Sequence, residues 1–390
     1  MRLLYFSPVH SGSYAQRPHF TVRAWLARGA ESALWVSPYP CRLPRWQDMR
    51  RGRGLHDQGT PPDAGVRVLH VPALPIEPLP FGSAINRRLL WGSAWREMQR
   101  FAADGPWVLG IGRPSALALA ALRELRPTAS FFDAMDNFPE FHRGLSRRAM
   151  RRHEDAVANE VDLVVASSTF LADKFTRRGL RVVKVLNAGQ WGEGRETSAA
   201  TAAHEQSIHH SSFTIPHSTV LGYLGCIGAW FDWPLAIRLA EALPKARVEL
   251  VGPCLVGPPK RLPDNLRLLP PCRQTEAAGH LRRFSAGLIP FRNNALTSGV
   301  DPIKYYEYRG AGLPVLSTRF GEMALRGRDD GVYFLDQTGN LPSTVARALS
   351  VPRDDDAARR FRRQHDWAAR FVRSDPFRSL LSAQAGKRAA

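Results

Sequence analysis

Gly287-Leu-Ile-Pro-Phe-Arg-Asn-Asn-Ala-Leu-Thr-Ser-Gly-Val-Asp-Pro-Ile-Lys304-Tyr-Tyr-Glu307-Tyr-Arg-Gly-Ala-Gly-Leu-Pro314-Val-Leu-Ser-Thr318 sets the fold. The apolar run Gly287–Phe291 has the length of a buried strand. Asp301-Pro302 marks a turn, with the proline pre-set for a helix start. Lys304 and Glu307 lie three apart and share one face of that helix. Gly312-Leu-Pro314 closes it, and Val315–Thr318 reads as the next strand. A cation and a carboxylate thus stand side by side at a helix start, just beyond a strand's carboxyl end. Open α/β sheets bind nucleotides at such places. Lysine neutralises phosphate, and a carboxylate accepts both hydroxyls of a ribose. Taken alone, Pro302, Lys304 and Glu307 are better described as a surface Lys–Glu pair on an ordinary helix.

The same alternation runs in both directions. Strands are expected at Arg2–Phe6, Ala33–Ser37, Val66–Val71, Trp107–Ile111, Ala129–Asp133, Leu163–Ser167 and Val182–Leu186. Helices are expected between them, including Asn86–Ala103, Ser115–Leu125 and Arg148–Ala158. Residues 190–218 are small, polar and aperiodic, which predicts a linker or mobile insertion. Its His204, His209 and His210 read as solvated linker rather than metal ligands. The pattern then restarts with Val220–Leu224, Pro234–Ala242, Arg247–Val251 and Glu276–Phe284, and ends on a helix over Asp356–Phe371. Strand–helix alternation in two series predicts an α/β chain of two Rossmann-like domains. The expected division is 1–189, a linker at 190–218, 219–355, and a C-terminal helix within 356–390.

A chain of 390 residues is long enough for two cores. Its formal charge of +19, nearly all from arginine, points to an anionic partner. The excess is greatest in the first half and the C-terminal tail. Nucleic acid, acidic lipid and sugar nucleotides all qualify, but no helix-turn-helix, zinc finger or aromatic RNA-binding pattern supports nucleic acid. Four cysteines without metal-ligand spacing fit a reduced, cytoplasmic protein. No apolar run approaches the ~20 residues of a membrane-spanning helix, so membrane contact would be peripheral. Arg42, Arg45, Arg50, Arg51 and Arg53, interleaved with Trp46 and Leu55, are one candidate patch, and Arg143 through Arg152 another.

Three further constellations stand at strand ends. Gly222-Tyr-Leu-Gly225-Cys-Ile-Gly228-Ala-Trp230-Phe-Asp232 has glycines three apart, which lets backbone amides approach phosphate. Ser11-Gly-Ser13-Tyr-Ala-Gln16-Arg17-Pro18-His19 follows the first strand, either as helix-capping residues or with Arg17 holding a phosphate or carboxylate. Phe131-Phe-Asp133-Ala-Met-Asp136-Asn137 puts two carboxylates at a strand's carboxyl end. Each is a turn or cap residue, or a general base. Arg273, Asn294 and Ser298 add polar groups near the strand ends of the second half.

Together these segments resemble the GT-B glycosyltransferases of bacterial polysaccharide biosynthesis, the group 1-like enzymes. Pro302, Lys304, Glu307, Tyr308, Gly312, Pro314 and Val315 match their "P-x-K-x-x-E-Y-x-A-x-G-x-P-V" signature. Gly222 to Asp232 is similar to the opening of their donor domain, and Gln16-Arg17-Pro18 to their acceptor-side loop. The resemblance implies two Rossmann-like domains facing across a cleft, with a C-terminal helix crossing back to the first. It implies that Lys304, Gly225, Gly228 and Arg273 approach a donor diphosphate, Glu307 the ribose, and Asn294 and Ser298 donor hydroxyls. Ser13 and Arg17 would face the acceptor.

Asp136 matches best the Asp that serves as base in the more distantly similar xanthan-pathway glucuronosyltransferase. Glu154 is its rival. Many retaining members carry a second Glu where this chain has Gly299, which favours inversion. The implied function is transfer of a sugar, from UDP by expectation, to a saccharide or polyprenyl-diphosphate-linked acceptor at an anionic membrane surface. No metal or other cofactor is expected. A sugar-nucleotide epimerase on the same fold is the alternative within enzymes, and a basic nucleic-acid-binding protein the alternative outside them.

Overall fold

Two units divide the chain, each built on one parallel sheet. The computed structural model describes residues 1–44, 62–191, 215–335 and 339–380. The expected linker and its histidines lie outside these, apart from 190–191 and 215–218. Arg45 through Arg53, Trp46 and Leu55 lie outside them too.

The first unit starts with β1 (Arg2–Phe6), α1 (Arg17–Leu26), β2 (Ala33–Val36), β3 (Val66–Leu69), α2 (Gly82–Leu89) and α3 (Gly92–Ala103). It continues with β4 (Trp107–Ile111), α4 (Ala116–Glu124), β5 (Ala129–Ala134), α5 (Gly144–Glu160), β6 (Leu163–Ala166), α6 (Thr169–Thr176) and β7 (Val182–Lys184). The strand order is β3-β2-β1-β4-β5-β6-β7. Progress along the sheet reverses between β1 and β4, where such folds open a crevice at the carboxyl ends. β1, β4 and β5 are buried along their whole length, as expected of strands covered on both faces.

The second unit starts with β8 (Val220–Leu224), α7 (Trp233–Ala242), β9 (Arg247–Val251), β10 (Leu266–Leu269), α8 (Gln274–Arg283) and β11 (Ala286–Ile289). Then come α9 (Ile303–Gly310), β12 (Val315–Ser317), β13 (Val332–Phe334), α10 (Leu341–Leu349) and α11 (Asp355–His365). Its order is β10-β9-β8-β11-β12-β13, with the reversal between β8 and β11.

Two expected helices are broken, each for a local reason. Over Asn86–Ala103 the chain turns after Leu89, so that Trp91 is buried against Tyr39, with ring centroids 5.8 Å apart. At the tail, the Asp366 carboxylate accepts a bond from Ala369 N (2.6 Å) and caps a new helix, α12 (Trp367–Arg373).

The division also differs from the expected one. Residues 187–297 and 302–369 make the second unit, while 298–301 and 370–390 belong to the first. α11 therefore stays with the second unit. Its Phe361 packs on Tyr305 (5.8 Å) of α9, and Arg362 donates to the Gly310 carbonyl. Crossing to the first unit falls to the residues from 370 onward. There Phe377 lies edge-on to Trp25 (4.9 Å) and Phe131 (6.1 Å), and Arg28 pairs with Asp375. Replacing this buried ring, Phe377→Ala, should destabilise the first unit by ~3–5 kcal/mol in urea denaturation. A change within error would mean that the C-terminal segment is not part of that core.

Candidate active site

Steric rather than electrostatic demands explain the glycines of the second unit. Gly225, just past β8, has φ +138°, and a Cβ there would stand 2.5 Å from Lys304 Nζ. Gly252, just past β9, has φ +137°, and its Cβ would strike the Gly225 carbonyl oxygen at 2.3 Å. The two loops are joined by Ile227 N to Pro253 O and Leu255 N to Ile227 O, both 2.8 Å. Only glycine permits this approach. Gly228 has a different reason, because the Trp230 ring covers it.

Lys304 and Glu307 occupy α9, which follows β11 across the reversal point from β8. Both are half-buried, and neither makes a hydrogen bond or ion pair among the described residues. Burial pushes the Lys304 pKa down, opposed by the Glu307 charge. Burial pushes Glu307 up, opposed by Lys304. The ammonium lies 5.2 Å from the centre of the Tyr223 ring. The helix is held by Tyr308, whose hydroxyl accepts from Leu224 N (2.9 Å) and whose ring fills the space over Gly287. A partly dehydrated cation and carboxylate, rigidly mounted beside two glycine loops, suit a phosphorylated ligand.

The other residues expected here are placed differently. The Asn294 side chain accepts from Leu296 N (3.0 Å) and Thr297 N (3.3 Å), which shapes its own loop. Arg273 is exposed and precedes α8, its amide bonded to Glu276. Ser298 is assigned to the first unit.

In the first unit, Asp133 and Asp136 have opposite environments. Asp133 is buried at the end of β5. It accepts from Arg17 Nε (2.7 Å), Tyr5 hydroxyl (3.0 Å) and Thr21 hydroxyl (3.2 Å). Arg17 also donates to the Val185 carbonyl (2.6 Å). Arg17 is thus a buried structural cation, not the ligand contact expected of it. Ser13 donates to the His10 carbonyl (2.7 Å). Next to it, His19 accepts from Gln16 N at Nδ1 (3.1 Å), so Nε2 carries the proton toward the Ser11 carbonyl (3.1 Å). Burial lowers its pKa, which keeps this ring neutral.

Asp136 is half-buried and has no hydrogen bond or ion pair among the described residues. Loss of water pushes its carboxyl up to about 7, against a smaller lowering by the Arg17 charge. A carboxylate with a pKa near neutrality can accept a proton and return it. Glu154 is instead buried in an ion pair with Lys174. Gly299, assigned to the first unit, lies against this loop. A Cβ there would meet Leu171 Cγ at 3.2 Å and Asn137 N at 3.3 Å, so any side chain would require these neighbours to shift.

A cavity of about 670 Å3 opens beside the Ser13 loop, past the ends of β1, β2, β3 and β4. Five prolines stiffen its wall, Ser13, Tyr39, Arg42 and Arg113 supply polar groups, and among the described residues no acidic residue lines it. Behind the wall, the buried Glu77 carboxylate accepts from Tyr39 hydroxyl (2.8 Å) and Ala116 N (3.0 Å) and fixes the phenol. Arg113 is the residue that sequence reasoning missed. Its signal was an arginine directly after Trp107–Ile111, at a strand's carboxyl end.

No family model matches the chain. It is 23% identical over 180 residues to TuaH of Bacillus subtilis (strain 168), whose name assigns it provisionally to the glycosyltransferases of teichuronic acid biosynthesis. That stretch spans 44% of this chain and 44% of TuaH. Among solved structures, Anabaena Alr3699/HepE, in complex with UDP and glucose, superposes with a TM-score of 0.59 at 15% identity, covering 97% of this chain and 99% of that one. The α,α-trehalose 6-phosphate synthase of Burkholderia multivorans gives 0.57 at 11% identity, covering 100% and 99%. AviGT4, a glycosyltransferase of avilamycin A biosynthesis, gives 0.54 at 12%, covering 100% and 98%. The chain shares their GT-B fold.

Two measurements separate structural from chemical carboxylates. Arg17→Met leaves Asp133 charged and dehydrated, and should lower stability by ~3–5 kcal/mol, with part restored by adding Asp133→Asn. Unchanged stability would return Arg17 to the ligand contacts. For Asp136→Asn the sign follows from the raised pKa. The folded state holds the proton that the unfolded state releases, so wild-type stability is lost as pH rises from the ordinary aspartate range through about 7. The variant should melt like wild type in acid and increasingly above it toward alkaline pH. A pH-independent difference would show that Asp136 titrates normally.

Proposed function

We propose that the protein is a glycosyltransferase that moves a sugar from a nucleotide-diphosphate donor, UDP-linked, to a saccharide acceptor in surface polysaccharide biosynthesis. The observation that carries the reading is the half-buried Lys304–Glu307 pair, held beside Gly225 without hydrogen-bonding partners among the described residues. Both relatives in sequence and neighbours in fold support it: TuaH by its name, HepE by its complex with UDP and glucose.

In the proposed reaction the second unit takes the donor. Lys304 and backbone amides near Gly225 meet the diphosphate, and the Glu307 carboxylate accepts the ribose hydroxyls. The acceptor hydroxyl attacks the anomeric carbon. A new carbon–oxygen bond forms as the bond to the diphosphate breaks, and its electron pair leaves with the diphosphate oxygen. Asp136 takes the hydroxyl proton. Single displacement inverts the anomeric centre, and the crowded Gly299 position fits that outcome. The first unit's cavity, with Ser13, Tyr39 and Arg113, takes the acceptor. An epimerase would leave that cavity without a role. Lys304 carries the phosphate charge, and the reading needs no metal ion.

The acceptor is membrane-borne in this reading, carried on a polyprenyl diphosphate, and the enzyme works peripherally at the cytoplasmic face. Among the described residues no helix is long and apolar enough to cross a membrane.

The test is a set of variants measured for UDP-induced thermal shift and for sugar transfer. Lys304→Ala and Glu307→Ala should each lose the shift. Asp136→Asn should keep it while transfer falls by ~10²–10⁴-fold. Wild-type shifts in both α9 variants would remove the donor assignment, and near-normal transfer in Asp136→Asn would remove the base.

A further inference from the structure

Twelve large apolar side chains are left exposed among the described residues, and five of them fall between positions 74 and 89: Leu74, Leu79, Phe81, Ile85 and Leu89. Ile85 and Leu89 are spaced by four and share one exposed face of α2, and Phe81 stands at the start of that helix. Phe81 is 81% exposed and Leu89 68%. A globular surface scatters such residues singly, and their concentration marks an interaction surface.

The scaffold beneath these residues is rigid. Asn86, on the opposite face of α2, accepts from Leu74 N (2.8 Å) and donates to Leu74 O (3.0 Å), which clamps the preceding loop onto the helix. Gly82 sits so close to that loop that a Cβ would lie 1.9 Å from the Ile76 carbonyl oxygen. Phe81 holds a left-handed backbone, φ +60°. A phenylalanine in that conformation, directed to water, is unfavourable twice over and implies a compensating contact.

Charge identifies the contact. Arg87 and Arg88 flank Leu89, and Glu77, which is buried, is the only acidic residue from Pro72 to Trp95. Arg87 pairs with Glu124, while Arg88 is exposed. Apolar side chains with arginines at their margin, on a chain of net charge +19, fit a surface that is apolar below and anionic above. A symmetric contact between two copies would set the same arginines against each other.

We infer that α2 and the loop before it dock on a bilayer containing anionic phospholipid, with Phe81, Ile85 and Leu89 seated at the boundary between head groups and acyl chains. This gives the membrane-borne acceptor of the proposed function a place of contact. Its test is independent of that function, because it uses the full chain without donor or acceptor.

The protein is sedimented with vesicles of phosphatidylcholine alone and of phosphatidylcholine with phosphatidylglycerol. Wild type should bind the mixed vesicles, and added salt should weaken the binding without abolishing it. Phe81→Ser with Leu89→Ser should reduce binding ~10-fold or more, and Arg88→Glu should reduce the preference for phosphatidylglycerol. Leu325→Ser, which changes an exposed leucine of the second unit, should have no effect. Circular dichroism melting confirms that each variant folds. Absence of binding to either vesicle, or equal binding by the Phe81/Leu89 variant, overturns the inference. So does dimerisation in light scattering that the same double substitution abolishes in place of vesicle binding. UDP-induced thermal shifts persist in any of these outcomes if the transferase reading holds.

Discussion

Removing Asp133 from water is the constraint on which the first unit depends. A carboxylate at the end of a buried strand must be paired, and three segments converge to do it. Tyr5 comes from β1, Arg17 and Thr21 from α1, and the Val185 carbonyl completes the guanidinium's contacts. The pairing fixes where the chain leaves β5 and so where Asp136 stands three residues later. Asp133 is held by three donors and Asp136 by none among the described residues, although they stand only three residues apart. One is satisfied by the fold, and the other, out of water and without such donors, has its pKa pushed up to about 7. Buried titratable groups with opposite satisfaction are a general sign of a division of labour.

The second unit reaches a comparable result by shape. Gly252 admits the Gly225 carbonyl, and Gly225 in turn admits Lys304. The ammonium is thereby brought to a strand end where it is half-dehydrated and, among the described residues, has no anionic hydrogen-bond partner. Glu307 one turn later shares this condition. Fold and site are the same fact here, because a side chain on either glycine would displace the lysine or separate the loops. The exposed apolar face of α2 is the counterpart at the surface. A rigid support holds apolar groups in water, where a concentration of them marks an interaction surface.

Much of this was legible in the sequence. Arg2–Phe6, Trp107–Ile111, Val220–Leu224 and Arg247–Val251 are strands at the expected bounds, since short apolar runs between polar turns leave little alternative. The pairing of Lys304 with Glu307 on one helix face follows from their spacing alone. Helix breaks were harder, because they depend on single contacts. Asp366 caps a helix inside an apparently continuous pattern, and burial of Trp91 turns the chain in another.

Local sequence therefore determined the elements, their alternation and which residue types stand at strand ends. Tertiary structure alone decided their roles. Arg17 and Asp136 look equally available in the sequence, yet one guanidinium is buried against Asp133 and one carboxylate remains unbonded. Arg113 gains meaning only where loops after β1, β2, β3 and β4 enclose a cavity. Whether a charged group is satisfied depends on partners more than a hundred residues away, as Asp133 is to Tyr5, Arg17 and Thr21. Spacing along the chain carries no information about those distances.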